Sequence, residues 1–297
     1  MEEWKLVLGA YEFPTTQYTI LNTPATLLLM LALKNVSKTF GAVTILQGAT
    51  LQINPKDTVC IVGPSGSGKS TILRLLLRLD VPTKGTVLVD GVDLTVVPPP
   101  VLQLFRRRTG IIFQEPVLLA HATASENIAL PLELAGLAEA AIRRAVEDLL
   151  QRLGLTAAAN RFPDQLSLSE RSLVAIARAI VTAPMVLIAD EPFANLDVTQ
   201  AKTVAALIGA LRKNGTTVIA LSRSDATATL LDARIIRLQR GAIAEESKPA
   251  AASDAGRHRI LERPTASPAS KEEETDDARG RKIRVTAIRS ESVKDSA

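Results

Sequence analysis

The chain of 297 residues contains one cysteine, two histidines and few aromatic residues, and it has no long hydrophobic run. Cys60 therefore has no partner for an internal disulfide, and its place in the apolar run 59–62 predicts a buried thiol in a reducing compartment. The apolar run at residues 25–33 is about half of the roughly 20 residues that span a bilayer. We therefore predict no transmembrane helix.

The charge is nearly balanced. The formal net charge is +4 at pH 7, which is too small for the basic surface that binds nucleic acid. With 46% hydrophobic and 22% charged residues, the chain can bury one sizeable core or two modest ones. The composition thus predicts a globular protein without a nucleic-acid partner.

The two ends of the chain differ from its middle. Residues 1–29 show no sustained periodicity, and we expect a leader that is either disordered or untranslated, with Met30 as the true start. Residues 245–297 hold equal numbers of acidic and basic residues and few large apolar ones, which predicts a disordered charged tail. Alternatively, its basic block at 279–284 contacts anionic lipid. The folded domain is expected over 30–244.

Short β-branched runs alternate with stretches of helical period in this domain. We predict strands at residues 58–62, 85–89, 186–189 and 216–220. We predict helices at residues 70–79, 137–153, 171–182 and 199–213. This alternation is typical of an α/β fold with a mainly parallel sheet. Residues from about 116 to 183 are almost wholly helical in pattern and predict a helical insert.

Residues 63–70 carry the strongest chemical signal, because they match G-x-x-x-x-G-K-[ST] between a predicted strand and a predicted helix. Backbone N–H groups of such a loop surround phosphate oxygens, and the helix N-terminus adds positive partial charge. In this motif the lysine reaches the outer phosphates and the following serine ligates Mg²⁺. The predicted phosphate-binding residues are Gly63, Pro64, Ser65, Gly66, Ser67, Gly68, Lys69, Ser70 and Thr71.

An acidic pair follows the predicted strand at 186–189. Asp190 would bind Mg²⁺ together with Ser70, and Glu191 would accept a proton from the attacking water. A buried acidic pair at the end of a strand is costly without a cation. The two motifs therefore predict a phosphate ligand held with Mg²⁺ and hydrolysis as the reaction.

These two motifs and the residues between them resemble the ATPases of ABC transporters. Gln114, in GIIFQEP, resembles the family's Q-loop, the run LSLSE at 166–170 lies where the signature LSGGQ opens its helix, and the run NLD at 195–197 resembles the D-loop. The resemblance covers residues from about 31 to 241. It implies a P-loop NTPase fold of ABC type: a mainly parallel core sheet, an N-terminal antiparallel β portion and a helical subdomain at about 116–183.

The resemblance also implies roles for single residues. Gln114 is expected to contact both the metal and the reacting groups, and Ser167, Ser169 and Asp197 are expected to bind nucleotide across a dimer interface. Phe40 lies at the position that stacks on adenine; a core phenylalanine is the alternative. Every tryptophan and tyrosine precedes Met30, so only a phenylalanine can supply this aromatic group.

Two departures from the family pattern concern the reaction. Leu168 and Ser169 replace the two signature glycines, and a Cβ resists the close approach that glycine permits. Arg223 holds the position of the switch histidine; a guanidinium pairs with a γ-phosphate but shuttles no proton, and a surface arginine is the alternative. We therefore keep two hypotheses, an ATP hydrolase and an ATP-binding scaffold or switch with impaired hydrolysis.

The signature region allows two interpretations as well. The serines of residues 166–170 either only cap a helix, or the same helix end also faces a phosphate on the opposite subunit. We expect both serines to cap the helix and its N-terminus to face phosphate from farther away than in the intact signature.

Within the family, residues 105–114, 123–132 and 195–197 look most like the cell-division ATPase FtsE, with the lipoprotein-release and macrolide-export ATPases close to it. This resemblance implies a head-to-tail dimer, with itself or with a paralogous ATPase subunit. It also implies docking on an integral membrane subunit of FtsX type, at the cytoplasmic face of the cell membrane. Residues 114–134 are expected to form the docking groove; packing within the helical insert is the alternative.

Overall fold

The computed structural model describes residues 30–247, 273–276 and 282–285, and the chain divides into two compact units at residue 250. The strands of the larger unit are β1 (Leu31–Phe40), β2 (Val43–Ile53), β3 (Thr58–Val62), β4 (Lys84–Val89), β5 (Val92–Asp93), β6 (Thr109–Ile112), β7 (Val186–Asp190), β8 (Thr217–Ser222), β9 (Arg234–Gln239) and β10 (Ala242–Ser247). Its α-helices are α1 (Lys69–Leu76), α2 (Pro99–Arg107), α3 (Ala124–Leu134), α4 (Glu139–Arg152), α5 (Leu168–Ile180), α6 (Val198–Lys213) and α7 (Asp225–Leu231). The proposed leader at 1–29 lies outside the described residues.

The strands of the larger unit form two sheets. The first has the order β2-β1-β4-β5 and is antiparallel throughout. The second has the order β10-β9-β3-β8-β7-β6, in which all neighbours are parallel except β10, which pairs antiparallel with β9 at the edge. This confirms the predicted fold class: a mainly parallel core sheet with an N-terminal antiparallel portion.

The core sheet is buried on both faces, which explains why its strands are continuous apolar runs. Along β3, Val59 and Ile61 belong to a core shared with the first sheet, α1 and α2. Cys60 and Val62 belong to a second core under the helices α3 to α7. Successive side chains of a strand face opposite ways, so one short strand supplies both cores. Cys60 is buried as predicted, and burial raises the pKa of its thiol to about 12.

The helical segment contains α3, α4, α5 and two single turns of 3₁₀ helix, Thr156–Ala158 and Pro163–Gln165. No strand occurs between residues 116 and 183, all of which the structure describes. Across the described part of the chain, no helix is long and apolar enough to cross a membrane.

Two predicted helix boundaries differ from the structure by three residues, and the other helix boundaries differ by at most two. Helix α1 ends at Leu76 rather than at 79, because Arg78 takes a left-handed conformation with φ of 48°. Helix α5 begins at Leu168 rather than at 171, because Ser167 and Glu170 form a capping box that starts the helix earlier.

The larger unit also extends beyond the predicted end at 244, since β10 continues to Ser247. In the predicted tail, the structure describes two short strands, β11 (Glu273–Asp276) and β12 (Lys282–Val285), which pair antiparallel. Their register places Glu274 opposite Arg284 and Asp276 opposite Lys282. The rest of the predicted tail lies outside the described residues.

Candidate functional site

The carboxyl ends of β3, β7 and β8 meet at one edge of the core sheet. Val62 pairs with Ser222, and Asp190 pairs with Leu221, so the residues that follow these three strands are neighbours. The edge is the place where open α/β sheets bind ligands. Motifs more than 100 residues apart in sequence are thereby brought together.

The loop after β3 has a backbone conformation and close contacts that only glycine can accommodate at several positions. A Cβ on Gly63 would lie 2.3 Å from the Leu238 carbonyl oxygen, so no side chain fits there. Gly66 and Gly68 have φ values of +77° and +106°, which L-residues with a side chain rarely adopt. The loop therefore keeps its backbone free to surround an anion.

Lys69 lies inside this loop, where it is only 7% exposed. Its Nζ donates to the carbonyl oxygens of Gly63 at 2.7 Å and Pro64 at 2.9 Å. Burial lowers the pKa of Lys69, and the nearby carboxylates of Glu191 and Asp190 oppose this shift. Ser67 Oγ is buried and has no hydrogen-bond partner. An enclosed ammonium and an unpaired hydroxyl fit a bound phosphate.

Two oxygen ligands for a divalent cation lie side by side. Ser70 Oγ donates to Asp190 Oδ2 at 2.8 Å. Burial raises the pKa of Asp190, against the hydrogen bond from Ser70. Among the described residues no cluster of three or more His, Cys, Asp or Glu could hold a metal. The pair suits Mg²⁺, which binds through one or two protein oxygens, water and substrate phosphates.

Glu191, which follows Asp190, has a constrained backbone and a fully engaged carboxylate. Its φ is 48°, in the left-handed region, and its side chain is only 10% exposed. Oε1 accepts from the Arg223 backbone N–H at 2.9 Å and from Arg223 Nε at 3.0 Å. Oε2 accepts from Ser222 Oγ at 3.2 Å. The candidate base is thus held by the residue at the switch-histidine position.

A cleft of about 350 Å³ connects these groups. The predicted site residues that line it are Phe40, Ser65, Gly66, Gly68, Lys69, Ser70, Thr71, Gln114, Asp190, Glu191 and Arg223. Ile45 of β2 also lines the cleft and was missed, because no motif marks a lone isoleucine in a strand. Phe40 is 46% exposed, so the core alternative for this ring is wrong. The cleft is thus lined both by an apolar ring and by candidate phosphate and cation ligands.

The predicted site residues that do not line this cleft are Gly63, Pro64 and Ser67 of the loop after β3, and Ser167, Ser169 and Asp197 of the expected dimer interface. Ser167 is the N-cap of α5, and its Oγ accepts from the Glu170 backbone N–H at 3.2 Å. Ser169 does not cap the helix as expected. Its Oγ instead donates to the side chain of Gln200 at 2.7 Å. Leu168, between the two serines, is 48% exposed.

Gln200 connects the signature region to the D-loop and was missed by the sequence interpretation. Asp197 Oδ1 accepts from the Gln200 backbone N–H at 2.8 Å, and Gln200 Oε1 accepts in return from the Asp197 backbone N–H at 3.1 Å. Asn195 Nδ2 donates to Ser172 Oγ at 3.1 Å. The spacing D-x-x-Q ahead of an apolar helix is a capping-box signal that could have identified Gln200.

Comparison with known proteins gives consistent matches. A family model described as "ABC transporter" matches residues 46–194. The cell division ATP-binding protein FtsE of Bacillus subtilis is 36% identical over 73% of this chain and 96% of its own length. The methionine import ATP-binding protein MetN of Caulobacter vibrioides is also 36% identical, over 73% of this chain, which spans 66% of MetN.

Solved structures match at similar identity. The ATP-binding cassette MJ0796, described as a dimer in a post-hydrolysis state bound to ADP and Pi, superposes with a TM-score of 0.69. It is 33% identical in sequence, over 74% of this chain and 99% of that chain. The alignment thus spans nearly the full length of a single-cassette ATPase.

Proposed function

Because the chain belongs to the ABC transporter family, we propose that it is the ATPase subunit of a membrane complex of the FtsE–FtsX type, which acts in cell division. As a family member it binds ATP with Mg²⁺ and is an ATP hydrolase. The finer assignment to cell division is supported by FtsE, of whose length 96% is matched. MetN, which is equally identical, is matched over 66%, so about a third of it has no counterpart in the alignment.

The observation that carries the proposed chemistry is the convergence of Lys69, the Ser70–Asp190 pair and Glu191 on one cleft. In the proposed site Lys69 and the loop N–H groups bind the β- and γ-phosphates. Ser70 and Asp190 hold Mg²⁺, which neutralises phosphate charge when bound. Glu191 orients the attacking water and takes its proton.

The remaining site residues receive proposed roles from their positions. Phe40, which lines the cleft, stacks on adenine, and Gln114, which also lines it, contacts the cation and the reacting phosphate. Ser167, Ser169 and Asp197 lie away from this cleft, so any contact they make with nucleotide belongs to the opposite subunit of a head-to-tail dimer. The dimeric form of MJ0796 supports such an assembly.

The proposed docking groove for the membrane subunit lies at the start of the helical insert. Within residues 114–134, the exposed large apolar side chains are Val117, Leu119 and Leu134. Residues such as Ile128 are buried and pack within the insert, so for them the packing alternative holds. The proposed contact surface is therefore the exposed apolar set and not the whole segment.

An ATP-binding scaffold or switch with weak turnover is the second candidate. It is favoured by two observations: the ion pair that occupies Glu191, and an exposed Leu168 where the family has glycine. A further candidate function is that of an ATPase subunit of an importer. The import ATP-binding proteins MetN, PotA and FbpC are 33–36% identical to this chain. A lipoprotein-release or macrolide-type exporter remains the alternative within the FtsE-like branch.

Steady-state ATP hydrolysis tests the proposed activity. We expect Glu191→Gln to lower turnover by roughly 10²-fold or more, since a general base contributes about 10²–10⁴-fold. Glu147→Gln, on the surface of α4, is the matched control and should leave turnover unchanged. Equal rates for the wild type and Glu191→Gln would contradict the hydrolase and leave the scaffold.

The gene neighbourhood and co-purification test the partner. We expect an adjacent gene for a four-helix membrane protein of FtsX type, whose product co-purifies with the chain. An adjacent transport permease that co-purifies instead would assign the chain to an importer.

A further inference from the structure

The exposed ring of Phe40 is in contact with the buried ammonium group of Lys38. Phe40 is the last residue of β1 and lines the nucleotide cleft, as does Ile45 of β2. Lys38 precedes it by two residues on the same strand, and its Nζ lies 4.7 Å from the centroid of the Phe40 ring. Lys38 is only 8% exposed and does not line the cleft. The ammonium therefore contacts the ring from the side that faces away from the cleft.

Two partners fix the position of this ammonium. Lys38 Nζ forms an ion pair with Asp80 and donates to the carbonyl oxygen of Val81 at 2.8 Å. Both partners lie in the loop that follows α1, the helix that begins at the P-loop. Asp80 stays ionised, because the hydrogen bond from Lys38 holds its pKa below the usual range. Lys38 is thus bound to a segment outside its own sheet.

We propose that Lys38, held by Asp80, is a positioning residue for the nucleobase. The proposal rests on the proposed function, in which Phe40 stacks on adenine. A cation within about 6 Å of an aromatic centroid is attracted to the ring face, and the attraction grows when the cation is desolvated. Lys38 therefore keeps the ring turned with its free face toward the cleft, so that the base stacks on a ring that is already in place.

The pairing has a plain structural alternative, in which Lys38 and Asp80 only join β1 to the loop after α1. The two roles differ in what they do to different ligands. A structural role would affect binding of the triphosphate and of the whole nucleotide alike, since both need the folded P-loop. A positioning role affects only ligands that carry a base.

The test compares the dissociation constants of Mg·ATP and Mg·tripolyphosphate by titration calorimetry. Lys38→Met keeps the side-chain length and removes the charge. We expect it to weaken ATP binding roughly three- to tenfold, as for loss of a desolvated cation–π contact, and to leave tripolyphosphate binding unchanged. Lys38→Arg keeps a cation near the ring and should restore most of the ATP affinity.

Two controls make the result specific. Arg74 is the other cation near Asp80, with its Nε 3.9 Å from Asp80 Oδ2. Arg74→Met removes this charge and leaves the Phe40 ring and Lys38 unchanged, so the variant should bind both ligands as the wild type does. In a Phe40→Ala background, which itself should lose ATP affinity, Lys38→Met should cause no further loss.

Equal weakening of both ligands by Lys38→Met, or an effect that persists without Phe40, would overturn the proposal. So would an ATP affinity equal to the wild type. All of these outcomes are measured as binding constants and do not depend on the rate of ATP hydrolysis. They can therefore be distinguished from a failure of the proposed hydrolase activity, which the comparison of the wild type with Glu191→Gln detects. If Phe40→Ala alone leaves ATP affinity unchanged, the ring does not stack on the base. Lys38 then has no positioning role for the nucleobase.

Discussion

Arg223 and Glu191 form an ion pair at the end of the core sheet, with Arg223 Nε 3.0 Å from Glu191 Oε1. The same carboxylate also accepts from the Arg223 backbone N–H and from Ser222 Oγ. Both oxygens of the proposed base are therefore already engaged by hydrogen-bond donors, one of which is a cation. The residue that replaces the switch histidine therefore acts directly on the proposed base.

Replacing this arginine by histidine should raise ATP turnover. In Arg223→His the permanent guanidinium charge on Glu191 is lost, and a group that can shuttle a proton takes its place. We expect a gain of roughly tenfold in the steady-state rate at saturating ATP, which is less than the roughly 10²–10⁴-fold contribution of a general base because Glu191 is present in both proteins. The control is Arg143→His, which removes the Arg143–Glu139 ion pair on the exposed face of α4. An unchanged or lower rate would show that the guanidinium serves the γ-phosphate.

The exposed Leu168 should limit closure of the ATP-bound dimer. In a Glu191→Gln background, which retains ATP, Leu168→Gly should increase dimer formation with Mg·ATP, because it removes a side chain from the expected phosphate-facing helix end. Relief of crowding worth about 1–3 kcal/mol corresponds to a roughly 5- to 150-fold larger association constant. Size-exclusion chromatography with light scattering measures it, and Val96→Gly, in the loop between β5 and α2, is the control. A monomer in every variant would place the defect elsewhere.

The buried charge of Asp190 should make stability depend on pH and Mg²⁺. Because its pKa is raised in the folded state, folding opposes ionisation of this carboxyl. The cost is absent below the unfolded pKa of about 3.9 and develops as the pH rises through the folded pKa. Without Mg²⁺, Asp190→Asn should therefore raise the melting temperature at pH 7.5 and leave it unchanged near pH 3.5.

The same variant should lose the thermal stabilisation that Mg·ATP gives the wild type, since a metal ligand is missing. Asp148→Asn, at an exposed ion pair on α4, is the control for the loss of an aspartate charge. A wild-type melting temperature independent of pH between 4 and 8 would contradict the inferred cost of ionised Asp190.

Two glycine-to-alanine changes should have opposite effects on the free energy of unfolding. Gly63→Ala places its Cβ 2.3 Å from a backbone carbonyl that cannot move aside, and should lower stability by about 1–3 kcal/mol. Gly209→Ala, inside α6 with no atom within 4 Å of the added Cβ, should raise it by about 0.5–1 kcal/mol. Urea unfolding with constant m-values measures both, and destabilisation by Gly209→Ala would mean that α6 packs more tightly than its neighbours indicate.

The sequence predicted the parts of the fold that depend on local pattern. Strand β3 has the predicted bounds, and the P-loop and the acidic pair lie together because parallel strands end at one sheet edge. Local pattern could not reveal side-chain pairs between distant segments. The Arg223–Glu191 and Ser169–Gln200 bonds join residues about 30 positions apart, and each depends on the register of the sheet and the placement of helices. The error at Ser169 has the same origin, since a partner on another helix competed with the local cap.

The nucleotide cleft lies across two separate sheets. Phe40 and Ile45 belong to the antiparallel sheet, whereas Lys69 and Asp190 belong to the core sheet and the helix that follows it. A bound nucleotide is therefore a further cross-link between two sheets that already share one apolar core. Amide hydrogen exchange in β1 and β2 should slow when ATP binds, because opening of the antiparallel sheet would then also cost the free energy of nucleotide binding.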